Sequence, residues 1–223
     1  MVGKNQHEFR SAIYHDYIYQ EIWQAVAEHE HWQGEVLNKR KDGSLYWTIL
    51  SVSCIRNESG VITHYLWSST DNTQLHEAQE TINKLAFYDA LTGLANRRLL
   101  MNRIDRAIMG AKRCGESVAL MMCDLDNFKM INDSLGHDAG DELLKHIAQS
   151  MKSVIRDVDL VARLGGDEFV IILDGIAETG EIIDIASALL QGLEKPVELM
   201  SKQVAISSSV GIAIYPNDGL LPS

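Results

Sequence analysis

Residues 163–173, with the sequence RLGGDEFVIIL, constrain this chain more than any other segment. They set two glycines and two acidic residues between strand-forming residues. Paired glycines favour a type I′ hairpin turn, which needs positive φ at both central positions. Such a turn would present Asp167 and Glu168 at one end of a sheet, where carboxylates destabilise the fold unless a partner such as a divalent metal binds them. A plain glycine hairpin with solvated acids explains these residues equally well.

Composition limits the classes of partner. The 223 residues carry a formal net charge of −11, which argues against nonspecific binding to nucleic acid or to anionic membranes. A nucleotide remains compatible, because metal ions and backbone amides can hold its phosphates. The three cysteines form no CxxC pair, which argues against a zinc site or a disulfide framework. With no apolar run long enough to span a bilayer, we expect a cytoplasmic protein without a membrane segment in this chain.

Residues 1–73 predict a helix followed by a small sheet. Ile18, Ile22 and Val26 recur every four residues, as in an amphipathic helix. Three strand-like runs follow, separated by the turn sequences KDGS at 41–44 and NESG at 57–60. This pattern predicts a three-stranded antiparallel meander.

Residues 74–88 predict a polar helical linker. Its apolar residues alternate at three- and four-residue spacing over two heptads, at Leu75, Ala78, Ile82 and Leu85. This is typical of a plain amphipathic connector or of a short parallel coiled coil between two copies of the chain.

From Asp89 onward the pattern alternates between helices and strands. We predict helices over about 96–113, 139–155 and 182–193, strands over 117–123 and 203–215, and the glycine hairpin between them. Helices that alternate with strands around a central sheet indicate an α/β sandwich.

Acidic residues follow the strand at 117–123 directly. Asp124 and Asp126 do not fit a calcium loop, because Phe128 and Lys129 occupy positions where that loop needs a ligand and a glycine. An acid at this strand end, together with the hairpin acids, matches two-metal phosphoryl or nucleotidyl transfer. A turn into a helix near Asn127 would also offer free amides to phosphate. The alternative is that both aspartates cap that helix.

Two further groups of polar residues could contact a ligand. Asn132 and Asp141 offer an amide and a carboxylate that could bind a purine edge, although Asp141 is also explained as an acid at a helix start, and His137 as a structural residue. Arg156 and Asp159 either form an ordinary surface ion pair or clamp a phosphate and a guanine.

Together these blocks resemble the GGDEF family of diguanylate cyclases. The resemblance runs in order through six segments, namely residues 89–97, 124–126, 128–133, 136–141, 163–169 and 209–213. It implies a palm-like α+β nucleotidyl cyclase sheet over residues 89–223. Each copy would bind one GTP, and two copies would face each other as a homodimer to make cyclic di-GMP and pyrophosphate.

The resemblance also implies roles for individual residues. Asp124, the carbonyl of Leu125 and Asp167 would hold Mg²⁺, two ions per site, with Mn²⁺ as an alternative. Asp167, with Glu168, would act as the base on the attacking 3′-hydroxyl, and Lys129 would offset phosphate charge.

The remaining implied roles concern the nucleotide and the product. Amides near Asn127 and Phe128 would cradle the phosphates, and Asn132 and Asp141 would bind guanine, with His137 lining the site. Arg156 and Asp159 match the family's RxxD site, at which the product cyclic di-GMP inhibits the enzyme.

Residues 1–73 resemble the C-terminal part of a PAS sensor domain. The matching sequences are WQGE at 32–35, RKDGS at 40–44 and TDNT at 70–73. This resemblance implies sensory control of the cyclase through the linker, by a ligand that the sequence does not identify.

Both family patterns extend past the ends of the sequence, so we expect a partial PAS domain and a C-terminally short GGDEF domain. Two other functions stay open. One is a receptor that keeps the Arg156/Asp159 site without turnover, and the other is a GTP-binding domain that regulates a phosphodiesterase module.

Overall fold

The structure is a computed structural model that describes residues 17–219. It divides the chain into two compact units, the first ending at Ile82 and the second starting at Asn83. No helix within residues 17–219 is both long enough and apolar enough to cross a membrane.

The first unit is one helix packed on a three-stranded sheet. Helix α1 (Tyr17–His29) precedes strands β1 (His31–Lys39), β2 (Leu45–Arg56) and β3 (Ile62–Asp71), which pair antiparallel in the order β1-β2-β3. The buried face of α1 packs against buried residues of β1 and β2, with the cluster formed by Ile18, Ile22, Val26, Val36, Leu50 and Val52. The predicted meander is therefore confirmed.

Hydrogen bonds fix the junction between β3 and the next helix, α2 (Thr73–Phe87). Asp71 accepts hydrogen bonds from the backbone amide and the hydroxyl of Thr73 and forms an ion pair with Arg40. Asn72 donates to Glu35 on β1 at 2.7 Å. The first turn of α2 is thus tied to the sheet of the first unit.

The apolar stripe of α2, defined as Leu75, Ala78, Ile82 and Leu85, is exposed along its whole length. The three large side chains are between 57% and 68% exposed. Within residues 17–219, no side chain covers this apolar stripe.

The second unit is a four-stranded sheet between helical layers. Its elements are α3 (Arg97–Cys114), β4 (Ser117–Leu125), α4 (Phe128–Leu135), α5 (His137–Val154), β5 (Leu160–Gly165), β6 (Glu168–Ile176), α6 (Thr179–Leu193), β7 (Val197–Leu199), β8 (Lys202–Val204) and β9 (Ser208–Tyr215). The main sheet has the order β5-β6-β4-β9, and all its neighbours pair antiparallel.

Alternation along β4 assigns its residues to two cores. Ala119, Met121 and Cys123 belong to the cluster that includes α5 and α6, whereas Val118 and Leu120 pack with α3. This two-sided burial confirms the predicted α/β sandwich. It also places Asp124, by the same alternation, on the α3 face of the sheet.

The predicted single strand over residues 203–215 is wrong. β8 ends at Val204 and pairs with β7 in a separate two-stranded sheet, while β9 begins at Ser208 in the main sheet. Between them Ile206 is buried in the core, and Ser207 accepts a backbone hydrogen bond from Asp126. The chain therefore crosses from one sheet to the other at these residues.

We predict that Asp71 makes the first unit sensitive to acid. Hydrogen bonds from Thr73 and then Arg40 lower the pKa of this carboxyl from 3.8 to about 2. Because the pKa is lower in the folded state, the stabilisation is present above about pH 4 and is lost as the pH falls through about 2. Asp71→Asn should therefore be less stable than the wild type at neutral pH, and the difference should vanish towards pH 2.

Tryptophan fluorescence measures this effect selectively, because all four tryptophans of the chain lie in the first unit. The exposed Glu58→Gln is the matched control and should follow the wild type at every pH. A difference between Asp71→Asn and wild type that stays constant down to pH 2 would contradict the assignment.

Candidate active site

Two acidic residues lie opposite each other at one end of the two central strands of the main sheet, β4 and β6. Asp124 on β4 lies in register with Glu168 on β6 and with Ser209 on β9. Directly opposed like charges destabilise a sheet, because the side chains of such pairs lie about 5 Å apart on one face. Within residues 17–219 neither carboxylate has a hydrogen bond or ion pair with another side chain. The pair therefore fits a cation bound between them.

The hairpin that carries the other acid differs from the prediction. Gly165 pairs with Glu168, so the two-residue loop is Gly166–Asp167 and not Gly165–Gly166. Gly166 has φ 56°, whereas Asp167 keeps a negative φ, which rules out the predicted type I′ turn centred on the two glycines. An irregularity at Leu164 shifts the pairing by one residue. As a result Asp167 lies at the tip of the hairpin.

The acids do not form a complete metal site by themselves. Within residues 17–219 no three His, Cys, Asp or Glu side chains lie close enough together to hold an ion. Mg²⁺ does not need such a cage, because one or two carboxylates, waters and substrate phosphates complete its octahedral shell. The donor set is therefore compatible with a cation that binds together with a nucleotide.

The loop between β4 and α4 presents free backbone amides. Helix α4 begins at Phe128 and its N-cap, Asn127, has φ 60° and makes no side-chain capping bond. The first turn of α4 contains no acidic side chain, and Lys129 within it is exposed. The alternative in which Asp124 or Asp126 caps this helix is therefore wrong. The amides of its first turn remain available to donate hydrogen bonds to an anion.

Asp126 fastens this loop to β9, a role that the sequence did not indicate. Its carboxylate accepts hydrogen bonds from Ser207 Oγ at 2.8 Å and from Ser209 Oγ at 3.0 Å. Its backbone amide donates to the carbonyl of Ser207 at 2.9 Å. Because the serines follow more than eighty residues later in the chain, no local signal in the sequence points to this contact.

Helices α4 and α5 bring the predicted base-binding residues close together. The side-chain oxygen of Asn132 lies against Gly140, the residue before Asp141. Asn132 is half-buried, and its side-chain amide makes no hydrogen bond within residues 17–219. Helix α5 begins at His137, so Asp141 lies in its second turn and is not the helix-start acid that the alternative required. His137 and Asp141 are both exposed.

Arg163 holds the hairpin tip, and its role was also missed. Its guanidinium donates to the carbonyl of Gly166 at 2.9 and 2.7 Å and to Asp89 at 3.0 Å. Asp89 also accepts hydrogen bonds from the amide and hydroxyl of Thr92. Burial opposes ionisation of Asp89, but the bonds from Thr92 and then Arg163 outweigh it and keep the pKa of Asp89 below its ordinary value.

This contact ties the tip of the hairpin to the turn that follows α2, which ends at Phe87. The Arg163 side chain is only 10% exposed, so its hydrogen bonds are largely shielded from water. The sequence offers one signal for the contact between Arg163 and Asp89: both residues lie in segments that resemble the GGDEF family, at 163–169 and 89–97.

The predicted inhibition site lies at the other end of β5 and contains a closed ion pair. Arg156 donates through Nε and Nη2 to the two oxygens of Asp159, at 2.9 and 2.8 Å. The amides of Arg156 and Asp174 donate to the same carboxylate. The Asp159 side chain is fully buried, whereas that of Arg156 is 42% exposed. An ordinary surface ion pair is therefore excluded, and the exposed part of the Arg156 guanidinium is what a ligand can reach.

The buried acid of this pair stays ionised. Burial opposes ionisation of Asp159, but the hydrogen bonds from Arg156 and from the amide of Asp174 outweigh it and hold the pKa of Asp159 below its ordinary value. The Asp159 carboxylate therefore accepts its hydrogen bonds from Arg156 and Asp174 of its own chain.

We predict that Arg163→Met destabilises the second unit by about 2–3 kcal/mol, because it leaves the half-buried Asp89 and the Gly166 carbonyl without their charged donor. Arg106→Met removes the same charge from an exposed position on α3 and should change stability by less than about 0.5 kcal/mol. Chemical denaturation followed by circular dichroism compares the two. Equal stability of both variants would contradict the role of Arg163.

Comparison with known proteins agrees with this architecture. The family described as diguanylate cyclase, GGDEF domain, matches residues 86–222, and the PAS domain family matches residues 1–74. The cyclic di-GMP phosphodiesterase NbdA of Pseudomonas aeruginosa is 40% identical over 146 residues, which cover 66% of this chain and 18% of that protein. The diguanylate cyclase TpbB of the same species is 37% identical over 151 residues, covering 67% of this chain and 35% of TpbB. The chain spans about a fifth of the length of the first three curated relatives it matches.

Solved structures show the same fold. The GGDEF domain of TpbB superposes with a TM-score of 0.58 at 40% identity, covering 60% of this chain and 79% of that one. The coiled coil and GGDEF domain of DgcB from Caulobacter crescentus, in complex with c-di-GMP, gives a TM-score of 0.60 at 28% identity and covers 66% of this chain and 79% of the other. The resemblance noted in the sequence is confirmed: this chain belongs to the GGDEF family of diguanylate cyclases and carries a PAS-domain region before its GGDEF domain.

Proposed function

We propose that this chain condenses two molecules of GTP into cyclic di-GMP, with release of two pyrophosphates, under the control of its PAS region. The observation that carries the proposal is the register of Asp124 with Glu168, next to the acid at the hairpin tip and the uncapped start of α4. Opposed carboxylates without protein partners, beside free amides, suit a substrate that brings both a cation and phosphates.

The nucleotide would lie along the edge formed by α4. Its phosphates would accept hydrogen bonds from the amides at Asn127 and Phe128, and the exposed ammonium of Lys129 would offset their charge. At the other end, Asn132 and Asp141 would bind the guanine edge, with His137 lining the site. The half-buried, unbonded amide of Asn132 supports this position for the base.

The oxygen ligands at the ends of β4 and β6 suit a divalent cation. Asp124, Glu168, the Leu125 carbonyl and the tip acid Asp167 would hold Mg²⁺, two ions per site, with Mn²⁺ as an alternative. When bound, the metal would neutralise the opposed carboxylates and increase the electrophilicity of the α-phosphorus. The pairing of Glu168 with Asp124 supports a role for Glu168 as a metal ligand. The sequence alone implied only a role in accepting the proton, together with Asp167.

The reaction is a nucleotidyl transfer that balances without any further reactant. A 3′-oxygen of one GTP forms a bond to the α-phosphorus of the other, and the bond from that phosphorus to the α,β-bridging oxygen breaks, so that pyrophosphate leaves. Asp167 would accept the proton of the 3′-hydroxyl, a role supported by its place in the two-residue hairpin loop next to Glu168. The transfer occurs twice to close the ring.

Each copy of the chain would hold one GTP, so turnover would require a homodimer. The exposed apolar stripe of α2 supports pairing of two copies through this helix. A signal that changes the PAS sheet would reach the hairpin through α2, whose first turn is bonded to that sheet and whose last residue precedes the Arg163–Asp89 contact. The proposed compartment is the cytosol, where GTP and Mg²⁺ are available.

The central test is incubation of the protein with Mg²⁺ and GTP, followed by chromatography for cyclic di-GMP. We predict product from the wild type and a loss of turnover on the order of 100-fold or more in Asp167→Asn, because the variant lacks the base. Asp105→Asn, an exposed acid on α3, is the matched control and should keep wild-type turnover. Equal turnover in all three proteins would contradict the role of Asp167.

We further predict that Ile82→Asp weakens dimerisation by at least roughly tenfold, because it places a charge in the apolar stripe. Turnover per chain should fall in parallel and recover as protein concentration rises. Thr81→Asp adds the same charge beside the stripe and should leave association near that of the wild type. Sedimentation velocity measures the association. A fully active monomeric Ile82→Asp variant would exclude pairing through α2 as a requirement.

A second candidate function is a regulatory module that binds cyclic di-GMP or GTP without turnover. It is favoured by the names of two relatives, NbdA and the Escherichia coli PdeR, which are cyclic di-GMP phosphodiesterases that match 146 and 152 residues of this chain. Cyclic di-GMP binding that weakens in Arg156→Ala, together with no product at high protein concentration, would support this function over catalysis.

A further inference from the structure

Gly140 occupies a position in α5 that no other residue could fill without moving its neighbours. A Cβ at this position would overlap the side-chain oxygen of Asn132 and would lie 2.9 Å from its Cγ and 3.2 Å from Cζ of Phe128. The helical glycines Gly110, Gly180 and Gly192 have no atom within 4 Å of the corresponding point. Glycine destabilises a helix interior relative to alanine, so its presence at 140 is explained by close packing.

The residues that touch Gly140 come from the two ends of the proposed nucleotide site. Phe128 begins α4, beside the amides proposed to bind phosphate, and Asn132 follows one turn later with its unbonded amide. The missing side chain at 140 therefore sets how closely α4 approaches α5 at both points. Asp141, the next residue of α5, begins the second turn of that helix.

We infer that Gly140 is a specificity-determining residue, although it offers no group that could bind the base. Its lack of a side chain lets the Asn132 side chain lie against α5 at the residue that precedes Asp141. Packing of α4 on α5 at this point would set the separation between a donor, the Asn132 side-chain amide, and an acceptor, the Asp141 carboxylate. The inference rests on the proposed function, because it assumes that a guanine nucleotide binds between these two residues.

The chemistry of the bases explains why this separation would select guanine. Guanine carries a carbonyl acceptor at position 6 and N–H donors at positions 1 and 2, which match an amide N–H and a carboxylate. Adenine carries a donor at position 6 and an acceptor at position 1, and the latter would face the carboxylate. Displacement of Asn132 by a methyl group would remove one of the matched pairs, so preference for guanine would fall while contacts to phosphate persist.

The test compares four versions of the full chain: wild type, Gly140→Ala, Gly110→Ala and Asn132→Ala. Binding of α,β-methylene-GTP and of the corresponding adenosine analogue is measured by calorimetry in Mg²⁺, since neither analogue can react. We expect Gly140→Ala and Asn132→Ala to bind the guanosine analogue roughly tenfold more weakly, with little change for the adenosine analogue. Gly110→Ala is the matched control and should keep the wild-type ratio. An unchanged ratio in Gly140→Ala would overturn the inference.

The double variant Gly140→Ala/Asn132→Ala separates selectivity from folding. If the methyl group displaces the Asn132 side chain, Gly140→Ala should raise the melting temperature less in the wild-type background than in the Asn132→Ala background, where alanine gives its full helix stabilisation. In binding, the double variant should be no weaker than either single variant. Equal shifts in melting temperature in the two backgrounds would overturn the steric part. A wild type that binds neither analogue would instead overturn the proposed function, while the melting temperatures would still test the contact.

Discussion

The register between β4 and β6 determines where the acidic groups of this protein lie. One pairing places Asp124 opposite Glu168, and a shift of a single residue would move every side chain of one strand to the opposite face. The apolar residues prevent that shift, because Met121 and Cys123 must enter one core while Val118 and Leu120 pack with α3. The two cores thus hold a pair of like charges on directly opposed residues of neighbouring strands. The stability of the hydrophobic layers supports an arrangement that the charges themselves oppose.

The acid at the hairpin tip depends on a second constraint. Register alone fixes Glu168, but Asp167 lies in a two-residue loop that has no neighbour in the sheet. Arg163 supplies the missing restraint by donating to the Gly166 carbonyl and to Asp89. Since Asp89 follows closely after α2, the hairpin tip and the end of the linker share one buried guanidinium. Movement at the end of α2 and the position of Asp167 are therefore mechanically connected within the second unit.

The sequence predicted the layers and the elements of the fold because burial follows periodicity. It did not predict the crossing between β8 and β9, because residues 203–215 alternate in a way that suits one strand, and burial of Ile206 decides the break. The hairpin loop was misplaced for a similar reason, since the irregularity at Leu164 comes from pairing and not from local preference. The contacts of Asp126 and Gly140 join segments that only tertiary structure brings together. The segments that resemble the GGDEF family identified the polar residues of the candidate site. They did not show that Asp126, Arg163 and Gly140 position those residues.

The two candidate ligand sites differ in how their polar groups are satisfied. At the ends of β4 and β6, the carboxylates of Asp124 and Glu168 have no partner among residues 17–219, and the side-chain amide of Asn132 makes no hydrogen bond there either. A ligand would therefore gain contacts with these groups without breaking any within that range. At Asp159 four donors of the same chain already occupy the carboxylate, and a ligand that used this acid would first have to displace Arg156 or a backbone amide. Natural proteins keep unsatisfied groups where a ligand completes them. On this basis a ligand could bind at the ends of β4 and β6 without rearrangement of the protein, whereas the Arg156–Asp159 pair must rearrange before both residues can bind a ligand.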